Sequence, residues 1–130
     1  MDNKSAAHGL ARREQQIMDV IHLLGEASVG QVHERIVDAP SYSAVRTMIR
    51  HLESKGLLKH RQDGKRYIYR STQSRTTAGK SAVRKLLNVF FSGSPSEAVA
   101  AILDVQGRKI DQEELDRIQA LIEEARKKEL

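Results

Sequence analysis

Arginine and hydroxyl side chains recur at helical spacing over a short stretch of the chain. Arg46 and Arg50 are four residues apart, so a helix would place them on one face. Ser43 and Thr47, again four apart, fall beside them. A guanidinium can bind a guanine edge through two hydrogen bonds or hold a phosphate, and a hydroxyl can bond to either. These residues predict contact with a nucleic-acid duplex, the alternative being a solvated charged helix surface.

A second basic group surrounds a predicted β-turn. Arg61, Lys65 and Arg66 flank Asp63-Gly64, a dipeptide that favours a tight hairpin because both residues tolerate positive φ. Such a hairpin can contact phosphates or the minor groove, whereas the alternative role of its charges is solubility and protection of a sheet edge. We expect contact, because the hairpin adjoins the basic helix.

Positive charge is concentrated in residues 41–70, which hold both groups. Eight Lys and Arg against two Asp and Glu give this segment a formal charge of +6, whereas the whole chain carries +5. A duplex-binding surface requires such a concentration, although basic charge alone would equally suit RNA or anionic lipid. Tyr42 lies in the same segment. Its hydroxyl could meet a DNA backbone, or its ring could pack against the preceding helix.

Other kinds of chemistry are excluded by residue type or spacing. The chain has no cysteine, which excludes disulfides, thiolate metal ligands and a cysteine nucleophile. The five histidines lack metal-binding spacing, and there is no phosphate-binding glycine loop or supported Ser–His–Asp arrangement. We therefore expect no enzyme activity, metal or other cofactor. No apolar run approaches the roughly 20 residues of a membrane span, and no signal sequence is evident, which predicts a cytoplasmic protein.

The basic groups need a helix and a hairpin to hold them, and the surrounding sequence supplies both. Ser41 is expected to cap a helix that Gly56 ends. The apolar positions of this helix repeat at three and four residues: Val45, Met48, Ile49 and Leu52. Two helices are predicted before it, one over residues 10–24 and a short one from Ser28 onward. Three helices followed by a hairpin are the order of a winged helix-turn-helix domain, whose third helix enters the major groove.

The predicted fold is mainly α-helical with a small β-hairpin. It comprises a disordered tail at 1–9, a winged-helix DNA-binding domain at 10–71 and a helical dimerisation region at 72–130. Three amphipathic helices in the last region have too few residues to cover one another's apolar stripes. A second copy of the chain is the simplest cover, since two-fold dimers are the commonest assembly. The expected dimer contacts are Val83, Leu86, Leu87, Phe90, Ile102, Leu103, Leu115, Ile118, Leu121 and Ile122.

Three segments carry a resemblance to a known family: EQQIMDVIHLLGEASVGQVHERI, SAVRTMIRHLESKGLLKHRQDGKRYIYR and the SGS turn at 92–94. Through them the chain resembles the penicillinase-repressor (BlaI/MecI) family of bacterial transcription factors. The resemblance implies a winged helix that binds an operator half-site and C-terminal helices that form the dimer. It also implies a wing contact around residues 61–66 and helix contacts at Ser43, Ala44, Arg46, Thr47 and Arg50.

Some positions depart from the family pattern. Many relatives have a hydroxyl where this chain has Ala44, whose methyl group could still touch a thymine methyl. Antibiotic-responsive members are cleaved at an Asn–Phe bond, and the corresponding positions near Leu103-Asp104 lack that dipeptide. Copper-responsive members use C-terminal cysteines, which are absent here. A sensor protease, a small-molecule inducer and simple dilution stay open as means of release.

The predicted function is that of a transcriptional repressor, acting as a homodimer on a palindromic double-stranded DNA operator. The alternative is a winged helix that serves as a protein-interaction module without sequence-specific DNA binding. The charge concentrated in residues 41–70 argues against that alternative.

Overall fold

The computed structural model describes residues 10–129, so the predicted tail at 1–9 lies outside the described residues. Backbone contacts divide the chain into two units that meet between Lys80 and Ser81. The elements in chain order are α1 (Arg12–Leu24), β1 (Ala27–Ser28), α2 (Val29–Arg35), α3 (Tyr42–Ser54), β2 (Leu58–Asp63), β3 (Arg66–Ser71), α4 (Arg75–Phe90), α5 (Pro95–Gln106), a 3₁₀ turn (Gly107–Lys109) and α6 (Gln112–Glu129). The predicted fold class, mainly α-helical with a small β component, is confirmed.

The first two helices begin and end where local chemistry sets the boundary. The Glu14 carboxylate accepts the Ala11 N–H at 3.2 Å at the start of α1, and Gly25 follows the helix with a φ of +86°. At the start of α2, Ser28 Oγ accepts the Gln31 N–H at 3.2 Å, and Gln31 Oε1 accepts the Ser28 N–H at 2.8 Å. This reciprocal pair is a capping box, and it confirms the predicted cap at Ser28.

The sheet has three antiparallel strands in the order β1-β3-β2. The sequence predicted only the β2–β3 hairpin, because the two residues of β1 are too few to show strand alternation. β1 pairs Ala27 with Tyr69 and Ser28 with Ile68, and reaches no further along β3. The hairpin tip, defined here as residues 62–67, is therefore a two-stranded ribbon.

The turn in the hairpin tip lies one residue later than predicted. Asp63 pairs with Arg66 across the strands, so the two central residues are Gly64 and Lys65. Gly64 has a φ of +66°, whereas φ at Lys65 is not positive. A positive φ at the first central residue alone is typical of a type II′ turn, which favours glycine at that position. Asp63 consequently stays in the strand.

The first unit has a hydrophobic core to which all three helices and the sheet contribute. Its largest fully buried side chains are Ile17, Ile21, Ile49, Leu52, Leu58, Val32 and Val45. Burying each such side chain contributes about 1.5–3 kcal/mol to folding. At the edge of this core, Glu14 is buried and its two carboxylate oxygens accept from Lys55 Nζ at 3.3 Å. This ion pair ties α1 to the end of α3.

The second unit consists of helices that bury no side chain. Ser94 Oγ accepts the Glu97 N–H at 3.2 Å at the start of α5, and Asp111 Oδ1 accepts the Glu114 N–H at 2.9 Å at the start of α6. Each of these hydrogen bonds caps the first turn of its helix. From Arg75 to Lys128, within the described chain, every residue is exposed or half-buried. The apolar stripes of these helices are therefore covered only in part by the described residues.

Within residues 10–129, no single helix has both the length and the apolar character needed to cross a membrane. Taken together, α4 and the segment Pro95–Lys109 are long and apolar enough by length and composition alone, but the chain bends by 100° between them.

Candidate nucleic-acid interface

The rotation of α3 about its own axis is determined by its buried face. Ser41 Oγ accepts the Ala44 N–H at 3.1 Å, so the helix begins at the predicted cap. The side chains that anchor it to the core are Val45, Ile49 and Leu52. Because side chains three and four residues apart share a face, the opposite side of α3 must point to solvent.

The solvent side of α3 carries the helix residues predicted to bind DNA. Ser43, Arg46, Thr47 and Arg50 are exposed, and Ala44 is half-buried. Thr47 Oγ1 donates to the Ser43 carbonyl oxygen at 3.0 Å, which leaves the oxygen lone pairs of the hydroxyl facing outward. The helix thus presents donors, acceptors and a methyl group on one continuous surface.

A groove of about 610 Å³ lies between α3 and the hairpin. It is lined by Ser28, Val29, Gly30, Tyr42, Arg46, Arg50, Gln62, Lys65, Arg66, Tyr67 and Tyr69. Four of these residues are Lys or Arg, and none of the lining residues is acidic. A cleft lined by one sign of charge focuses the electrostatic potential and concentrates ligands of the opposite sign. The groove is therefore suited to a polyanion.

The cationic charge of the groove is mostly uncompensated within the protein. Among residues 10–129, ion pairs do not involve Arg46, Arg50 or Lys65. Arg66 lies 3.7 Å from a carboxylate oxygen of Asp63, but both side chains are more than half exposed, so this pair is weak. Positive charge is consequently available to a ligand along the whole groove.

Three tyrosines line the groove. Tyr42 is 50% exposed, and its ring meets the edge of His33 at a centroid distance of 6.1 Å. Tyr67 is 41% exposed, whereas Tyr69 is 2% exposed and belongs to the core. Burial raises the pKa of the Tyr69 phenol above its ordinary value. The exposed hydroxyls of Tyr42 and Tyr67 can donate to a ligand, and the buried Tyr69 mainly supports the wall.

Tyr67 and Gln62 were not among the predicted site residues. Gln62 pairs with Tyr67, and His60 pairs with Tyr69, so these four side chains share the face of the sheet that borders the groove. The alternation along each strand was visible in the sequence, but the pairing register and the face turned toward α3 were not. The start of α2 also lines the groove, and no local pattern could have indicated that approach.

Arg61 was predicted as a wing contact, and the structure does not bring it into the groove. Successive strand residues point to opposite faces, so Arg61 faces away from Gln62. One guanidinium nitrogen donates to Glu26 Oε2 at 2.8 Å. This hydrogen bond raises the pKa of Arg61 and lowers the pKa of the Glu26 carboxyl. Part of the Arg61 charge is therefore compensated by the residue that precedes β1.

Comparison with solved structures finds the same fold in proteins of low sequence identity. The complex structure of hsRosR-S4 matches with a TM-score of 0.60 at 15% identity, covering 81% of this chain and 96% of that one. A mutant of ZitR from Lactococcus lactis matches with a TM-score of 0.52 at 15% identity, covering 98% of this chain and 82% of that one. At such identities the likeness establishes the winged-helix fold alone. No curated protein matches the chain.

A comparison with protein families gives the more specific finding. The model of the family described as penicillinase repressor matches residues 10–124. That match covers the winged helix, the groove and nearly all of the C-terminal helices. The family, as its description says, is one of repressors, which are transcription regulators. The chain therefore belongs to the penicillinase repressor family of winged-helix, DNA-binding transcription regulators.

Proposed function

We propose that the chain represses transcription as a homodimer bound to a palindromic operator, with α3 in the major groove and the hairpin on the DNA backbone. The observation that carries this proposal is the groove between α3 and the hairpin, with four cations and no acidic lining residue. A phosphodiester strand is a ligand that matches a cleft lined by positive charge alone. In this arrangement one strand of the DNA backbone would bind in the groove.

The outer surface of α3 meets the base edges in this arrangement. An α-helix with its side chains is about 10–12 Å wide, and the major groove of B-DNA is about 12 Å wide. Ser43, Ala44 and Thr47 would lie toward the floor of the major groove. Arg46 and Arg50 also line the protein groove, so they can reach either a guanine edge or the phosphates at the rim.

The hairpin supplies contacts that do not depend on DNA sequence. Lys65 and Arg66 lie at the hairpin tip, where they would hold phosphates across from α3. The hydroxyls of Tyr42 and Tyr67 would donate to phosphate oxygens without adding charge. Arg61 has the smaller share in this proposal, because its guanidinium is already bound to Glu26.

Dimerisation is supported by the apolar side chains of α4, α5 and α6. Leu86, Phe90, Ile102 and Leu121 are between 48% and 70% exposed in the single chain. Leu87 and Ile118 are half-buried, and the other predicted contacts are exposed: Val83, Leu103, Leu115 and Ile122. Exposed apolar area of this extent marks an interaction surface. A second copy would cover it and would present two copies of α3 to a two-fold repeated site.

Release of the DNA is a separate matter from binding. The sequence contains no Asn–Phe dipeptide, so cleavage at such a bond by a sensor protease is not part of the proposal. A small-molecule inducer acting on the helical region is compatible with it.

Selection from random duplexes, followed by affinity measurements on variants of the full-length protein, tests the proposal. We expect selection to enrich a two-fold repeated sequence. Arg46→Ala or Arg50→Ala should each cost about 1–3 kcal/mol of binding free energy if that arginine reads a base. Lys65→Ala should weaken binding to all sequences alike and reduce the slope of log K against log salt by about 0.9 for each subunit, or about 1.8 for the dimer.

Lys59→Ala is the matched control, since Lys59 is an exposed hairpin lysine outside the groove. It should change the slope less than Lys65→Ala does. The double variant Arg46→Ala, Arg50→Ala should bind the selected site less tightly than the wild type at moderate salt. An unchanged affinity would contradict the placement of α3 in the major groove. Failure of the selection to enrich any sequence would favour the protein-interaction module instead.

A further inference from the structure

A cluster of aromatic rings lies on the face of the hairpin that borders the groove. The rings of His60 and Tyr67 are stacked, with centroids 4.1 Å apart and planes 14° from parallel. The Tyr69 centroid lies 5.5 Å from that of His60 and 6.4 Å from that of Tyr67. Contacts between packed aromatic rings stabilise a fold beyond the area they bury. His60 therefore holds Tyr67 from one side.

The same histidine is bound to α3. Nδ1 of His60 lies 2.5 Å from Oε2 of Glu53, and the carboxylate accepts the hydrogen bond. Glu53 is in the last turn of α3, three residues after Arg50 and therefore next to it on the helix surface. A continuous set of contacts thus runs from α3 through Glu53 and His60 to Tyr67.

The hairpin tip has little else to hold it. β1 pairs with β3 only at Ile68 and Tyr69, so residues 62–67 have no third strand beside them. A two-stranded hairpin is marginally stable in water unless it packs against another element. The contact from Glu53 through His60 reaches β3 at Tyr67, which is the residue of the tip on that strand that lies nearest the base of the hairpin.

We propose that His60 is a positioning residue that sets the distance between the hairpin tip and α3. Held by Glu53 and stacked on Tyr67, it keeps Lys65 and Arg66 opposite Arg46 and Arg50 before a ligand arrives. A preorganised groove spares the binding reaction the cost of ordering the tip. This inference rests on the proposed DNA-binding function of the groove, and it adds a residue that need not touch DNA itself.

His60 is suited to this role because it is not a core residue. Its side chain is 33% exposed and that of Glu53 is 29% exposed, so their replacement leaves the buried aliphatic core intact. Conservative variants separate the two contacts. His60→Phe keeps a ring to stack on Tyr67 and loses the bond to Glu53, whereas Glu53→Gln keeps an oxygen acceptor and loses the charge.

Amide hydrogen exchange on the full-length protein without DNA measures the order of the tip directly. In His60→Ala, amides of residues 62–67 should exchange about two- to twelvefold faster, which is the loss expected for one ring contact. Amides of α1 and the buried part of α3 should be unchanged. His60→Phe should restore part of the protection. Lys59→Ala, on the opposite face of β2, should leave exchange at the tip as in the wild type.

DNA affinity of the same variants completes the test. We expect His60→Ala to weaken binding by a similar factor, and His60→Phe to recover part of the loss. Unchanged exchange at residues 62–67 in His60→Ala would overturn the positioning role, and so would a loosened tip with unchanged affinity. Arg46→Ala separates the two proposals, because it should reduce DNA affinity and leave amide exchange at the tip unchanged. If Arg46→Ala did not reduce the affinity, the DNA-binding proposal would fail, whatever the exchange of the His60 variants showed.

Discussion

The two units of this chain use the same aliphatic residues at the same helical spacing and differ in what covers them. In the winged helix, Ile17, Ile49 and Leu52 are completely buried by neighbouring elements of the same chain. In the C-terminal unit, Leu86 and Phe90 are 48% and 70% exposed. An amphipathic pattern therefore predicts that a helix has an apolar face, but it does not predict whether the cover belongs to the same chain.

The difference also separates two kinds of stability. A self-contained core stabilises a fold at any protein concentration, whereas a face that is covered by a partner contributes only where the partner is bound. The proposed dimer makes the C-terminal unit the part whose folding depends on concentration. The following experiments test this comparison.

The largest effect is expected in the core of the winged helix. Leu52→Ala should lower the free energy of unfolding by about 2–5 kcal/mol, because it leaves a cavity among fully buried side chains. The loss should be the same at protein concentrations about a hundredfold apart. Denaturant unfolding monitored by circular dichroism measures it.

Leu86→Ala provides the matched substitution in the C-terminal unit. Its effect on the unfolding midpoint should grow or shrink with protein concentration, in contrast to that of Leu52→Ala. If both substitutions gave concentration-independent losses of similar size, the distinction between the two units would fail.

The next effect concerns the dimer itself. Phe90→Ala should raise the dimer dissociation constant about a hundredfold or more, since burying a large apolar side chain is worth about 1.5–3 kcal/mol and the dimer loses two of them. Sedimentation equilibrium measures the change. Leu23→Ala is the control, because Leu23 is 60% exposed in the winged helix and outside the predicted contact. A wild-type protein that is monomeric at micromolar concentration would contradict the dimer.

The smallest effect concerns β1, the strand that sequence patterns missed. The folded state lowers the pKa of Glu26 through the hydrogen bond from Arg61, so this pair stabilises the protein above the unfolded carboxyl pKa. That stabilisation is lost as the pH falls through the folded pKa. The Tm of the wild type should therefore fall slightly as the pH is lowered through the pKa of Glu26, and Glu26→Gln should lack this part of the fall. Thermal melts over a pH series measure the difference. Both side chains are about half exposed, so the difference is small.

Glu26→Gln also releases the Arg61 guanidinium from its carboxylate partner. If Arg61 then gains a phosphate contact, the slope of log K against log salt should steepen by at most about 0.9 for each subunit, or about 1.8 for the dimer. An unchanged slope together with an unchanged acid-side Tm would mean that the pair contributes nothing measurable.

Local chemistry was sufficient to predict most of the winged helix. Ser28 and Ser41 are helix caps whose partners lie within three residues, and both were identified from residue type and spacing. β1 was missed because its partners, Ile68 and Tyr69, are about 40 residues away and its own two residues carry no pattern. The exact turn was missed by one residue because Asp63 and Gly64 both tolerate positive φ, and only the cross-strand pairing decides between them.

The candidate site was predictable to the extent that it depends on one element. The exposed face of α3 follows from its buried face, so Arg46 and Arg50 could be assigned together. The separation of Arg61 from Lys65 could not, since it depends on which face of the hairpin turns toward α3. The same holds for His60, whose role requires the position of Glu53 on another element.

The pairing register of the hairpin has a consequence for how this wing can change in length. Asp63 pairs with Arg66, and the alternate residues Gln62 and His60 of β2 lie on the face that borders the groove. Inserting or deleting one residue within β2 would exchange the two faces of the strand, and would turn His60 to the side where Arg61 now lies. Inserting or deleting two residues leaves each side chain on its present face. Viable wings of other lengths, natural or engineered, should therefore differ from this one by even numbers of strand residues.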